Sequence, residues 1–343
     1  MTADPIAPQA STALDLLTWS RNMIDGELRA AVDRLPALLR RIAGYHFGWW
    51  DADEQPTKAN AGKAIRPALV LLAAEAVGGS ARAATSAAVA VELVHNFSLL
   101  HDDVMDGDRT RRHRPTAWTV FGVSPAILAG DAMVALASEV LADGGARWTA
   151  PAVQWLNNSV IALCDGQYAD VAFETRAQVG LAECQQMVRG KTASLLGASC
   201  ALGALAGDAG VAKVNLLRGF GLHLGMAFQL VDDLLGIFGD TAVTGKPAGA
   251  DLLRRKKSLP VAFALASETS AGEELARVYA AEGPVDVDQA RALVVDAGGR
   301  DWAQRAADEE MSKAVVCLDK AGCADGARAG LVELASLVVK RNH

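Results

Sequence analysis

The sequence predicts an all-α protein, one large helical bundle with a central apolar cleft. Three observations carry that prediction. Apolar residues recur at helical spacing along nearly the whole chain. The apolar fraction is 51% and is built mainly from Ala, Leu and Val, with only 5% aromatic residues. Small and γ-branched side chains suit close helix packing, whereas sheets favour β-branched and aromatic ones. Finally, there is no convincing run of alternating strand residues and no short repeat.

Taken in order, residues 1–12 read as a flexible tail. Met1 to Ala10 carries Asp4 and two prolines but neither a basic start nor an apolar core, so it does not resemble a secretory signal. Leu14, Leu17 and Ile24 open an amphipathic run, and Leu28, Val32, Leu35 and Leu39 carry a similar stripe. A Pro- and Gly-bearing loop is expected around Trp49 to Gly62. Long apolar helices follow at about 64–78, 81–105, 124–142, 149–174, 178–206 and 209–237. From about 255 to 341 the pattern reads as shorter helices between Gly and Pro turns. No linker breaks the pattern long enough to mark a second domain, so residues 13–343 are expected to form one all-helical domain.

Net charge is −7 over 343 residues, which excludes nucleic acid as a general partner. The basic clusters at 109–114 and 254–257 therefore call for a local explanation. Five cysteines, odd in number and without metal-ligand spacing, read as reduced thiols of a cytoplasmic protein. The most apolar stretch, Ala193 to Gly207, is shorter than the roughly 18 residues of a membrane span, so no transmembrane segment is expected.

The sharpest chemical signal is His101-Asp102-Asp103-Val104-Met105-Asp106. Asp102 and Asp106 are four apart, so their carboxylates share one face of a helix, and like charges there repel. They also sit at a helix C-terminus, against the macrodipole. Oxygen ligands without His or Cys point to Mg²⁺, which takes one or two carboxylates and completes its shell with substrate phosphates. A second segment, Gln229-Leu230-Val231-Asp232-Asp233, again sets adjacent aspartates in an apolar helix, with Gln229 one turn before them. Buried acids are rare unless paired or metal-bound, so the two segments are expected to face one another across a polar cleft. Arg111 and Arg112 follow the first, and Lys246, Lys256 and Lys257 the second. Carboxylates ringed by Arg and Lys suit a polyanion gripped by metal and basic side chains together, as diphosphate would be.

These segments resemble the trans-isoprenyl diphosphate synthases, the polyprenyl synthetase family, over about Gly62 to Pro260. Gly62-Lys63-Ala64-Ile65-Arg66-Pro67 is similar to the family's opening motif, and Glu92-Leu93-Val94-His95 precedes the first aspartates as in the family. The resemblance implies the isoprenoid synthase fold and a substrate pair, isopentenyl diphosphate and an allylic diphosphate. It assigns Lys63, Arg66, His95 and Arg112 to isopentenyl diphosphate. Asp102, Asp106 and Asp232 fall to Mg²⁺, three ions with substrate bound. Arg111, Lys191, Thr192, Gln229, Lys246 and Lys256 fall to the allylic diphosphate and the reacting carbons. Gly166, Gln167 and Asp170 match a further segment and are expected to support those groups. Three positions depart from the pattern: Gly236 where many members carry Asp, and His113 and Arg255 where Gly is common.

The implied chemistry is ionisation of the allylic diphosphate followed by addition to isopentenyl diphosphate, in a homodimer. Phe97, five residues before Asp102, and Ser98, four before, are read as chain-length residues. In the family that the chain resembles, an aromatic at that place is typical of one class that makes geranylgeranyl diphosphate, so the resemblance implies a twenty-carbon product over farnesyl diphosphate. A class I terpene cyclase is the nearest rival, and a non-catalytic regulatory subunit another. The second diphosphate site argues against the first, and the retained aspartates against the second.

Overall fold

The computed structural model of the chain describes residues 12–57, 62, 64–143, 147–239 and 249–339. Of the expected tail, residues 1–11 lie outside the described residues, and so do Lys63 and Lys246. Thr12 instead caps a helix. Its hydroxyl accepts from the Asp15 amide while the Asp15 carboxylate accepts from the Thr12 amide, a capping box that fixes where the helix starts.

The chain forms two compact units. The first comprises Met1–Val160, Ala198–Arg218 and Leu318–Leu334; the second comprises Ile161–Gly197, Gly219–Cys317 and Ala335–His343. In the first unit run α1 (Ala13–Val32), α2 (Ala37–Phe47), α3 (Ile65–Ala76), α4 (Thr85–Met105), α5 (Ala117–Phe121) and α6 (Val123–Ala142). A single 3₁₀ turn, Ala81–Ala84, leads into α4. Helix α3 is the buried axis of this unit, with every side chain from Ala68 to Ala74 inaccessible to solvent. Such burial allows no bulk at a helix crossing. Gly203 accordingly packs against α3 so closely that a methyl group there would sit 2.8 Å from the Ala73 side chain and nearer still to the Val70 carbonyl.

Further along come α7 (Thr149–Thr175), α8 (Leu181–Val188), α9 (Ser194–Ala206) and α10 (Val211–Phe238). Beyond them lie α11 (Ala250–Leu253), α12 (Leu259–Leu265), α13 (Ser270–Ala280), α14 (Val287–Asp296), α15 (Gly299–Ala321) and α16 (Asp325–Val339). Among the described residues of the second unit lie two apolar clusters. Phe173, Val188, Leu230, Leu234 and Leu259 belong to one, and Ile237, Leu252, Val261, Leu275 and Val294 to the other.

The long expected helices fall within a few residues of those observed. Two expectations need correction. The C-terminal region is not made of short helices throughout, because Gly299–Ala321 runs for 23 residues. Its sparse apolar stripe, Ala303, Ala307, Ala314 and Leu318, is buried while most of its exposed positions are charged or polar, so a weak hydrophobic signal hid a long helix. Leu14 also points outward, 72% exposed, whereas Leu16, Leu17, Ile24 and Leu28 face the core.

The membrane criterion also looked in the wrong place. Ala81–Met105, Val123–Ala142 and Val211–Phe238 are each long and apolar enough, by length and composition, to cross a membrane. Two-thirds of the apolar window is buried inside the protein in the first and third, but only 39% in Val123–Ala142.

A small hairpin went unforeseen. Strands β1 (Thr110–Arg111) and β2 (Arg114–Pro115) pair antiparallel, with Arg111 opposite Arg114. The two residues between them, Arg112 and His113, both have positive φ, 51° and 62°. That is the signature of a type I′ turn, which normally takes Asn-Gly. Two-residue strands carry no alternation to read, and the turn lacks its usual residues. A left-handed conformation costs a non-glycine residue roughly 1–2 kcal/mol, against the extra chain entropy of glycine. His113 is exposed, so His113→Gly should raise stability by up to about 1 kcal/mol, read as a higher urea midpoint with an unchanged slope.

Candidate active site

In the first unit, α4 presents its acidic pair at its C-terminal end. Asp102 keeps 23% of its side chain exposed, while Asp103 is buried. Asp106 is the C-cap of the helix, its amide donating to the Asp102 carbonyl at 2.8 Å. Neighbours on a helix point about 100° apart, so an adjacent pair divides its work. Asp103 turns inward and accepts from Arg111 Nε at 2.7 Å; Asp102 and Asp106 stay at the surface. Arg111 Nη2 lies 3.9 Å from Asp102. The hairpin thus ties its first arginine to the helix end.

Its second arginine reaches inward. The Arg112 guanidinium lies against Gly62, where a methyl group would come within 2.6 Å of Nη2, and the φ of +90° at Gly62 favours glycine there. One of its nitrogens, Nη1, is buried without a hydrogen-bond partner among the described residues. Along α4 on the same side, His95 Nε2 is 3.2 Å from Arg66 Nη1. Seven residues separate His95 from Asp102, as expected for a shared face. A small pocket here is lined by Tyr45, His46, Asp103, Arg111, Arg112 and Arg114, among others.

This is a place built for an anion. Burial, then Arg66 and Arg112, hold His95 well below the ordinary histidine value. Burial, then Arg112 and Arg111, depress His46 to about 3. Burial pushes Asp103 up to about 6 despite Arg111. Burial lowers even Arg112, with Glu92 opposing. Both histidines are therefore neutral at pH 7, which limits the mutual repulsion of the arginines around them.

In the second unit the same division recurs. Asp232 is exposed, while Asp233 is buried. Asp233 accepts from Gln229 Nε2 at 2.8 Å and from the Leu259 amide at 2.9 Å. Gln229 in turn accepts from the Thr192 hydroxyl at 2.8 Å. Between α8 and α9 the helix carries one π turn, Arg189–Ala193, which includes both Lys191 and Thr192. π turns often mark functional positions because the extra residue re-aims side chains. Lys191 Nζ sits 2.6 Å from Asp170 on α7. Gly166, one turn before Asp170, meets the π turn so closely that a methyl group would lie 2.7 Å from the Met187 carbonyl. Lys256 is surrounded by acids: burial opposes its charge, but Asp170, Asp233, Asp251 and Asp232 raise it above the ordinary lysine value.

Within each unit, then, the structure gathers the residues expected there. Arg66, His95, Asp102, Asp106, Arg111 and Arg112 belong to the first; Asp170, Lys191, Thr192, Gln229, Asp232 and Lys256 to the second. Gln167 is buried beside Gly166 with its amide nitrogen unpartnered among the described residues. Phe97 is buried, its ring edge-on to His101 at 4.8 Å. Half-buried Ser98 donates to the His95 carbonyl at 2.7 Å. Motif spacing assigns no role to Asp103 and Asp233, the two anchors, nor to His46, which lines the pocket with Arg112, and Asn96, whose side-chain amide donates to Glu92 at 2.9 Å. A histidine in a run of apolar residues, as in Tyr45-His46-Phe47, was the one available hint.

Among the described residues no three His, Cys, Asp or Glu side chains form a metal-holding set by themselves. The surface aspartates offer oxygen donors, one or two in each unit. That matches Mg²⁺, which binds one or two carboxylates and leaves its remaining positions to phosphate oxygens and water.

The polyprenyl synthetase profile matches residues 54–296. The chain is 47% identical over 319 residues to a geranylgeranyl diphosphate synthase of Mycobacterium tuberculosis, covering 92% of this chain and 90% of that one. It is 44% identical over 334 residues to a (2E,6E)-farnesyl diphosphate synthase of the same organism, covering 96% and 93%. A crystal structure of a polyprenyl synthetase from Streptomyces coelicolor superposes with TM-score 0.89 at 44% identity, covering 94% of this chain and 98% of that one. Another, a Corynebacterium glutamicum geranylgeranyl pyrophosphate synthase complexed with isoprenyl diphosphate and magnesium, gives 0.77 at 26% identity over 96% and 97%. Fold and sequence together define a trans-prenyltransferase with the isoprenoid synthase fold. The chain belongs to the polyprenyl synthetase family.

The buried histidines make stability depend on pH. His46 has a folded value far below that of an unfolded histidine, so its contribution is present above about pH 6.5 and is lost as pH falls toward 3. Replacing it, as in His46→Gln, should reduce the slope of unfolding free energy against pH by close to one proton. That is about 1.4 kcal/mol per pH unit between roughly pH 6 and 4, measured by denaturant titration.

Proposed function

We propose that this chain condenses an allylic diphosphate head-to-tail with isopentenyl diphosphate, and that its product is geranylgeranyl diphosphate. The observation that carries this reading is the split within each aspartate pair. Asp103 and Asp233 are buried and pinned, which leaves Asp102 and Asp232 rigidly presented at the surface of their helices. Catalytic carboxylates benefit from such support because positioning errors of an ångström are costly.

On this reading Asp102, Asp106 and Asp232 hold Mg²⁺, three ions with substrate bound. Bound Mg²⁺ would supply Lewis-acid stabilisation of the charge that builds on the departing diphosphate. The chain's own cations share that work. Arg111, Lys191 and Lys256 meet the leaving group, and each is already oriented by a carboxylate or kept charged by several. Lys191 leaves Asp170 to do so, and the Thr192–Gln229–Asp233 chain holds the π turn in place meanwhile. Arg66, His95 and Arg112 take isopentenyl diphosphate, with Lys63 and Lys246 expected to add charge at the two diphosphates. A diphosphate among Arg66, Arg112 and neutral His95 would relieve the repulsion there and favour a proton on His95. The final proton goes to the departed diphosphate, since no side chain is an evident base.

The same reading makes the protein a cytoplasmic homodimer. All five cysteines are free thiols. Helix α6 offers apolar surface to a second copy, with Val123 45%, Ile127 37% and Leu128 57% exposed. Farnesyl diphosphate is the second reading for the product, favoured by the 44% identity to a farnesyl diphosphate synthase.

The purified chain, given labelled isopentenyl diphosphate and dimethylallyl, geranyl or farnesyl diphosphate, should yield a twenty-carbon product by chromatography only when Mg²⁺ is present. Hydrocarbon released from geranylgeranyl diphosphate alone would instead indicate a cyclase, and turnover only with an added partner a regulatory subunit. If buried Phe97 is the floor of the product channel, Phe97→Ala should shift the products to at least one five-carbon unit longer; an unchanged chain length rejects that role.

A further inference from the structure

The pocket behind the hairpin turn takes the polar side chains of its wall from Tyr45, His46, Asp103, Arg111, Arg112, Arg114 and Thr116. Most of these find partners within the protein. The Tyr45 hydroxyl donates to the Pro115 carbonyl and the Thr116 hydroxyl to the Asp108 carbonyl, both at 2.8 Å. Arg114 donates to the Tyr45 and Trp50 carbonyls at 3.2 and 3.0 Å, and Arg111 Nε to Asp103 Oδ1. Three atoms are left over. His46 Nε2, Asp103 Oδ2 and Arg112 Nη1 are each buried without a hydrogen-bond partner among the described residues. All three belong to the wall of this one pocket.

Leaving such atoms unpaired is costly, most of all on charged groups. The pocket gives about 20 Å³ to the centre of a water molecule, and one buried water requires roughly 10–15 Å³ and two to four polar partners. Its wall disfavours other occupants of that size. The Asp103 carboxylate repels an anion, and the guanidinium groups of Arg111, Arg112 and Arg114 repel a cation. A neutral molecule that both donates and accepts satisfies all three atoms. Arg112 can only donate, a carboxylate can only accept, and a neutral imidazole accepts at one of its nitrogens. His46 is kept neutral by burial and then by Arg112 and Arg111, which hold it near 3.

We propose that one ordered water occupies this pocket, accepting from Arg112 Nη1 and donating to Asp103 Oδ2 and His46 Nε2, and that His46 is thereby a positioning residue for Arg112. The arrangement puts the ring proton of His46 on Nδ1. It also ties both arginines of the hairpin to Asp103, Arg111 directly at Oδ1 and Arg112 through the water at Oδ2. One buried carboxylate then sets the spacing between the cation for the allylic diphosphate and the cation for isopentenyl diphosphate. That consequence rests on the proposed prenyl transfer; the water site itself does not.

Crystals of the full chain, diffracting well enough to show ordered water, should give a density peak within hydrogen-bonding distance of all three atoms. Nitrogen-15 spectra of the histidine-labelled chain should report His46 as the Nδ1–H tautomer, which a crystal structure infers but does not observe. His46→Phe keeps a ring and removes the acceptor. It should weaken calorimetric binding of isopentenyl diphosphate roughly tenfold, about the worth of one hydrogen bond to a charged group, and leave binding of geranyl diphosphate unchanged. His46→Gln restores a polar end and should recover most of the loss. His46→Leu replaces His46→Phe if the latter does not fold. No peak in the pocket, a peak that misses any of the three atoms, or the Nε2–H tautomer overturns the water. Unchanged affinity for isopentenyl diphosphate in His46→Phe overturns the positioning role, and so does an equal loss for both diphosphates, which is what poorer packing alone would give. If the unaltered chain binds neither diphosphate, prenyl transfer falls, and the density and the tautomer still decide the water.

Discussion

A carboxylate inside a helical core costs several kcal/mol unless hydrogen bonds or cations answer it. Both aspartate pairs are organised around that constraint. Asp103 is answered by Arg111, a residue of the hairpin, and Asp233 by Gln229 and the first amide of α12. Each buried acid thereby pulls a separate piece of chain onto its helix. The hairpin, the π turn and the start of α12 hold their places partly because two acids need them. Removing an acid would free its partners as well, and leaving a buried cation without its counter-charge is costly in its own right.

The cationic pocket in the first unit obeys a related rule. Three arginines, Arg111, Arg112 and Arg114, converge with two histidines nearby. Burial keeps the histidines neutral, so they add dipoles and hydrogen-bonding nitrogens instead of further positive charge. Glu92, buried and raised above the ordinary carboxylate range by burial while Asn96, Arg66 and Arg112 pull it down, supplies a nearby counterweight. An unliganded pocket of this kind can fold because its charge is moderated, and it can still attract a polyanion because it is not cancelled.

Most of the helices were legible in the sequence, since an apolar stripe of 3.6-residue period is a direct consequence of burying one face. Asp102, Asp232 and Arg111 were marked as candidates by motif spacing, and Lys191 by the family resemblance. What escaped has physical reasons. In Asp102-Asp103 and Asp232-Asp233 adjacency alone does not say which acid turns inward; the partners that decide it lie 4 to 26 residues away. Arg112, His113 and Arg255 concealed their left-handed turns by not being glycine, and α15 concealed its length behind a polar surface.

The π turn at Arg189–Ala193 has one more implication. Such a turn amounts to a single residue inserted into an α-helix, and each residue advances a helix by about 100°. Deleting any one residue between 189 and 193 would let the backbone relax into unbroken α-helix, rotating everything on one side of the cut by that amount relative to the other. Lys191 and Thr192 could then no longer address Asp170 and Gln229 at once. The segment should therefore accept many changes of side chain but no change in length.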